Sequence, residues 1–169
     1  YCVDDPRLRE LFMGKERAIS YGFSNEAVFQ IQAHQTATPL RPYHTFQLKR
    51  GRQLLGSFEM SLCGPENVLN ATAVIVLLME LGFDVDEIRS AIKGFKGVDR
   101  RQQKVFENSD HVVIDDYGHH PTEIKSTLRS LKPLVSGRLL VAFQPHRYSR
   151  TRDLFEDFEN YPLSVWQKT

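Results

Sequence analysis

A chain of 169 residues, 41% hydrophobic and 25% charged, is long enough to bury one core or two small ones and too apolar for intrinsic disorder. Its formal net charge of +1 gives no general field for nucleic acid or an acidic membrane, so anion recognition must come from local clusters. Cys2 and Cys63 are too few for a disulfide framework, and neither a signal peptide nor an apolar run of about 18 residues occurs; the composition predicts a soluble, cytoplasmic protein without nucleic-acid or membrane partners.

Asp4-Asp5-Pro6 predicts a helix start, with Leu8, Leu11 and Phe12 on one face and an end near Gly14. Extended runs follow at 18–21, 28–33 and 45–49, and Arg50-Gly51-Arg52 turns the chain into a run at 54–62. There Phe58, Met60 and Leu62 alternate with Ser57, Glu59 and Ser61, the period of a half-buried strand in an antiparallel sheet edge. Gly64-Pro65 opens a helix through Leu81 that is apolar on almost every face from 71 to 79, which predicts burial all round. Asp84 with Glu87 resembles a capping box, and Val85, Ile88, Ile92 and Phe95 repeat at helical spacing behind it.

Gly94, Gly97 and the charged Asp99-Arg100-Arg101 mark a boundary, placed here between 98 and 99. Beyond it the order is strand (112–114), helix (121–131), strand (139–143) and helix (150–158), which predicts parallel βα units. Ile124, Leu128 and Leu131 give the first of these helices its apolar face. Right-handed crossovers would bring the runs after both strands to one carboxyl edge of a sheet, where ligands bind in open α/β folds. The start at Tyr1 and the tail Trp166-Gln167-Lys168-Thr169 predict a fragment of a longer protein, whose cut edges would favour self-association.

The first of those runs is Asp115-Asp116-Tyr117-Gly118-His119-His120-Pro121. Alternation along a strand sends the two acids apart. Asp116 is the one expected to reach a ribose hydroxyl or a metal-bound water, and Asp115 to cap the following helix or pair with a buried arginine. His119 and His120 precede a helix N-terminus, where they can serve as bases, metal ligands or anion-binding cations. The second run holds Arg147, Arg150 and Arg152, suited to bidentate carboxylate or phosphate recognition or else to plain solvation. Asn67 and Asn70 lie in the first turn of the apolar helix, where an amide can read an adenine edge or bond its own backbone. Arg100 and Arg101 are candidates for nucleotide contact, and Tyr117, Tyr148 and Cys63 read as packing residues. Asp115, Asp116, His119, His120 and His146 also allow a second function, a metal-dependent phosphohydrolase, and a noncatalytic nucleotide-binding piece is a third.

Taken together, Gly64 to Ala71 (GPENVLNA), Phe95 to Arg101 (FKGVDRR), Asp115 to Ile124 (DDYGHHPTEI) and Phe143 to Phe155 (FQPHRYSRTRDLF) resemble the Mur ligases, with the Asp4-Asp5-Pro6 and Ile19-Ser20-Tyr21-Gly22 stretches extending the likeness over all but about the last ten residues. The resemblance implies an ATP-dependent, Mg2+-assisted amide-forming enzyme of peptidoglycan synthesis, with UDP-N-acetylmuramate and L-alanine as substrates. It implies an α/β fold in which residues 1–98 end a central mixed-sheet ATPase domain and 99–169 begin a Rossmann-like parallel-sheet domain. Carried across, Asn67 and Asn70 match the adenine-side asparagines, Arg101 the hinge arginine and Asp116 the ribose acid. His119 or His120, with Arg147 and Arg150, match the region that receives the amino acid and the reacting carboxylate. Glu66 stands where the family usually has histidine, and Gln102 where an aromatic commonly follows the paired arginines. No G-x-x-x-x-G-K-[ST] phosphate loop is present, so the resemblance implies magnesium ligands mostly outside this chain and no ATP turnover by it alone.

Overall fold

A computed structural model describes residues 1–38 and 43–158 and divides into two units, Tyr1–Lys96 and Gly97–Thr169. The run 166–169 lies outside the described residues. In the first unit the strands β1 (Tyr21–Gly22), β2 (Phe29–Gln35), β3 (His44–Arg50) and β4 (Gln53–Met60) form one sheet in that order, β1 parallel to β2 and the rest antiparallel. The expected run at 18–21 contributes only its last residue to a strand. Period-two alternation turns Phe46, Leu48, Phe58 and Met60 to one face, and Phe46 lies opposite Phe58 with ring centroids 5.5 Å apart. Against this face pack α2 (Pro65–Glu80), through Val68, Ala71, Ile75 and Val76, and α3 (Val85–Gly94), through Ile88.

Strand β2 breaks its alternation once. Gln32 pairs with Gln47 and Gln35 with Thr45, so Ala33 and His34 together oppose the single residue Phe46, a β-bulge. Ala33 takes the left-handed region, φ 47°, and is exposed, while His34 turns toward buried His44 on β3. The left-handed conformation costs an L-residue roughly 1–2 kcal/mol, and glycine adopts it freely. Ala33→Gly is therefore expected to raise the urea midpoint, by a stability gain of at most about 1 kcal/mol after glycine's own entropy cost.

Two expectations for this unit do not hold. Helix α2 is not buried all round: Val74 and Leu77 are 47% and 59% exposed, because the sheet covers only the side carrying Val68, Thr72, Ile75 and Val76. Helix α1 (Pro6–Phe12) forms and is capped as expected, Asp5 accepting from the Arg7 and Leu8 amides, with Phe12 stacked on Tyr1 and none of its residues buried. Asp84 caps α3 through the Asp86 and Glu87 amides. Phe95, expected on the α3 face, is that helix's C-cap and is exposed.

The second unit departs further. The residues after the boundary form β5 (Gln103–Glu107), which pairs antiparallel with β6 (Val112–Asp115) across a turn in which the Asn108 side chain accepts from the Asp110 and His111 amides. The expected run at 139–143 carries no strand: no ladder bonds hold it among the described residues, and Leu140 and Phe143 stay exposed. Parallel pairing therefore does not align the two candidate runs. Helix α4 (Pro121–Leu131) buries Leu128 and Leu131 as expected. Helix α5 (Tyr148–Asp153) starts two residues earlier than expected and breaks at Leu154 before the helical residues 155–158.

Candidate functional site

The loop that follows β6 is held by its own acids. Asp116 accepts from the Gly118 amide through Oδ1 at 2.7 Å and from the Gln102 amide through Oδ2 at 2.9 Å, so one half-buried carboxylate pins the loop before β5 to the loop after β6. The Tyr117 amide donates to the Arg100 carbonyl at 2.7 Å and closes the same junction. Gly118 suits the close approach, since a Cβ there would stand 2.8 Å from Asp116 Oδ1. Arg100 and Gln102 occupy the left-handed region at φ 58° and 50°, a local strain of the kind that gathers at functional sites. The buried side-chain oxygen of Gln102 has no hydrogen-bond partner among the described residues, a costly state that a hydroxyl donor would relieve.

The neighbouring acid has a different task. Asp115 meets Arg100 Nε at 3.5 Å, and the Arg100 guanidinium lies 4.8 Å from the Tyr117 ring centroid. The expected arginine partner is thus found, but on the surface rather than buried.

His119 and His120 are separated by their hydrogen bonds. His120 is the N-cap of α4: its Nδ1 accepts from the Thr122 amide at 3.2 Å, which places the proton of the neutral ring on Nε2. His119 Nδ1 lies 3.2 Å from the Tyr117 carbonyl and 3.3 Å from Glu123 Oε2, two acceptors, so it carries a proton and leaves Nε2 as the lone-pair nitrogen of the neutral ring. Glu123 Oε2 also accepts from the His119 and His120 amides at 3.1 and 3.3 Å, completing a capping box. Burial pushes the Glu123 carboxyl up, but the two amides together with the charges of His119 and Arg101 outweigh it and hold it below its ordinary value.

A depressed folded-state value has a definite sign: the stability Glu123 contributes is present above its unfolded value, about 4.3, and is lost as pH falls through the lower folded value. Thermal melts from pH 6 to pH 3 are expected to show a smaller fall for Glu123→Gln than for the unaltered chain; equal slopes would remove Glu123 from the acid response.

The site thus gathers Arg101, Asp116, His119 and His120, together with Gln102 and Glu123, which sequence reasoning did not select; Glu123 at the third position of a helix opening after histidine was the available signal. Arg147 and Arg150 do not join it by hydrogen bond or ion pair among the described residues. Arg147 precedes α5 in a strained conformation, φ 69°, with its carbonyl accepting from Thr151. Tyr148, expected to pack, is almost wholly exposed, and Tyr117 packs between Arg100 and the tilted His119 ring, 5.4 Å from it. In the first unit, Asn67 is half-buried and its Nδ2 donates to the Cys63 carbonyl at 2.6 Å, while Asn70, one turn on, is exposed. The metal cluster of the phosphohydrolase reading is not assembled: among the described residues no three His, Cys, Asp or Glu side chains converge, since Asp116 binds backbone amides, Asp115 pairs with Arg100 and His120 caps a helix.

Solved structures similar to this chain include Mur ligases of mixed α/β architecture. A crystal structure of UDP-N-acetylmuramate-alanine ligase from Thermotoga maritima is 29% identical over 80% of this chain and 31% of its own, with a TM-score of 0.68. A MurF ligase from the same organism, in complex with ADP, shares the fold at a TM-score of 0.62 and 18% identity, over 78% of this chain and 30% of its own. Residues 100–162 match the Mur ligase glutamate ligase domain. Over 93% of its length the chain is 44% identical to the UDP-N-acetylmuramate--L-alanine ligase of Geotalea uraniireducens and 39% identical to that of Acidobacterium capsulatum. The chain belongs to the Mur ligase family, and it spans about a third, 34%, of the length of these curated relatives.

Proposed function

We propose that this chain supplies the adenine-side helix and the acceptor-side loop of a cytoplasmic, ATP-dependent ligase that joins L-alanine to UDP-N-acetylmuramate in peptidoglycan precursor synthesis. The observation that carries the reading is the convergence of Arg101, Asp116, His119 and Glu123 in one braced loop junction. The identity to alanine-adding relatives supports the choice of substrates. In domain terms, residues 1–98 end the central ATPase domain and 99–169 begin the C-terminal one, a division that the matched segment 100–162 supports.

The donor set suits a nucleoside. Asp116 retains lone pairs beyond its two backbone bonds, so a ribose hydroxyl has an acceptor where the two loops meet. The described residues do not assemble a magnesium site. In the reaction, the γ-phosphoryl of ATP passes to the muramyl carboxylate, releasing ADP. The alanine amine then attacks the acyl carbon, its proton passes to a base, and inorganic phosphate leaves as the amide forms. His119 Nε2 is the base, because the Tyr117 carbonyl and Glu123 hold the ring proton on Nδ1. Arg147 and Arg150 supply positive charge for the acyl phosphate oxygens.

The full-length enzyme is expected to form ADP, phosphate and UDP-N-acetylmuramoyl-alanine from ATP, alanine and the UDP-sugar. Asp116→Ala should raise KM for ATP at least tenfold, since it removes both the loop brace and a ribose acceptor. Full activity in that variant would count heavily against the reading.

A further inference from the structure

A relay of hydrogen bonds runs beneath the start of α2 and ends on Asn67. His44 on β3 is fully buried, and its Nε2 accepts from the Gly64 amide at 3.1 Å. That bond fixes the ring's tautomer: the proton sits on Nδ1 and points at His34 Nε2, 2.9 Å away. The two ring planes are only 13° apart, as suits a lone pair that lies in the plane of an imidazole. Burial lowers the His34 pKa, which keeps that ring neutral and its Nε2 able to accept. The bulge at Ala33 sets the relay's far end, since it spends backbone strain on turning His34 inward.

The near end is set by a single peptide group. The Gly64 N–H bonded to His44 and the Cys63 C=O belong to the same peptide plane, and that carbonyl accepts from Asn67 Nδ2 at 2.6 Å. A carbonyl only accepts, so it selects the nitrogen end of the Asn67 amide and leaves Oδ1 turned away. The Gly64 carbonyl meanwhile accepts from the Asn67 and Val68 amides, which locks the same residue into the first turn of α2. His44 thus holds the plane on which the orientation of the Asn67 amide depends.

We propose that the His34–His44 pair is a positioning device that, through the Cys63–Gly64 peptide, presents Asn67 Oδ1 as an acceptor and the second Nδ2 hydrogen as a donor, and so selects a 6-amino purine over a 6-oxo purine. This rests on the reading of Asn67 as an adenine-side residue. Adenine offers N6–H and N7, a donor beside an acceptor, which matches the fixed amide. Guanine offers O6 and N7, two acceptors, and sets O6 against Oδ1. His34 and His44 touch no nucleotide in this scheme; they determine which end of an amide does.

The test uses the full-length enzyme, labelled with nitrogen-15 and titrated with ATP and with GTP while the Gly64 backbone and Asn67 side-chain amides are followed by NMR. The unaltered enzyme is expected to bind ATP more tightly than GTP. His44→Phe keeps the ring's shape and removes the acceptor; it should speed Gly64 amide exchange and cut the ATP-over-GTP preference on the order of tenfold. His44→Gln returns an acceptor and should restore much of both. His34→Phe removes the acceptor of the His44 Nδ1 proton and should shift both readouts in the same direction by less, which provides a second route should His44→Phe not fold. An ATP-over-GTP ratio unchanged by folded His44→Phe would overturn the selection, and an unchanged Gly64 exchange rate would overturn the relay. If the unaltered full-length enzyme binds neither nucleotide, the adenine-side role of Asn67 fails with it, and the exchange rates still decide the relay.

Discussion

His119→Gln in the full-length enzyme is expected to lower kcat by about 10²–10³ while leaving KM for ATP within a factor of about two, the range lost with a positioned general base. The split follows from the hydrogen bonds. His119 Nδ1 is engaged by the Tyr117 carbonyl and Glu123, so Nε2 is the nitrogen left to take a proton from the incoming ammonium or amine. Glutamine keeps the polarity and lacks the basic nitrogen, and the Glu123 contacts to the two backbone amides survive the change. His120→Gln should behave differently, because His120 Nδ1 is committed to the Thr122 amide. Its main effect should be the loss of a helix cap, roughly 0.5–2 kcal/mol of stability, with a smaller change in kcat. Steady-state kinetics and thermal melts on both variants check the contrast, and equal kcat values for the two would contradict it.

Phe46→Ala is expected to cost about 3–5 kcal/mol, a large share of the roughly 5–15 kcal/mol that a domain has in total. Phe46 is 1% exposed, stacks on Phe58 in the centre of the sheet face and belongs to the cluster that α2 and α3 cover. Alanine would leave a cavity between strands whose ladder keeps them from closing it. Urea unfolding followed by far-ultraviolet circular dichroism should show a lower midpoint. A loss below about 1 kcal/mol would mean that the face repacks, contrary to the cost of most such truncations.

What was legible in the sequence had a local cause. Strand β4 was visible because one residue in two is apolar, α3 because Asp84 stands before a helical repeat, and α4 because Pro121 follows a polar cap. Strand β5 was not visible: Gln103, Lys104 and Glu107 surround Val105 and Phe106, all but Gln103 are exposed, and a ribbon without a buried face carries no period. The run at 139–143 has the composition of a buried strand, but composition does not supply a neighbour to pair with. In the site, Asp116 and the two histidines could be chosen by residue type, whereas the division of labour between His119 and His120 depends on which acceptor each Nδ1 meets. The His34–His44 pair was invisible for a further reason: ten positions part the two residues, and a bulge in β2 brings them onto the same face.

That bulge also bears on how the length of β2 can vary. Two residues of β2 face one of β3 there, so the strand holds one residue more than an unbroken ladder needs. Removing Ala33 alone would let His34 take the place opposite Phe46, with Gln32 and Gln35 keeping their partners and every inward residue staying inward. A single-codon deletion at this point is therefore expected to be tolerated, whereas the same deletion at Ile31 would shift the side chains on one side of the gap to the opposite face. Natural length differences in this strand should accordingly collect at Ala33.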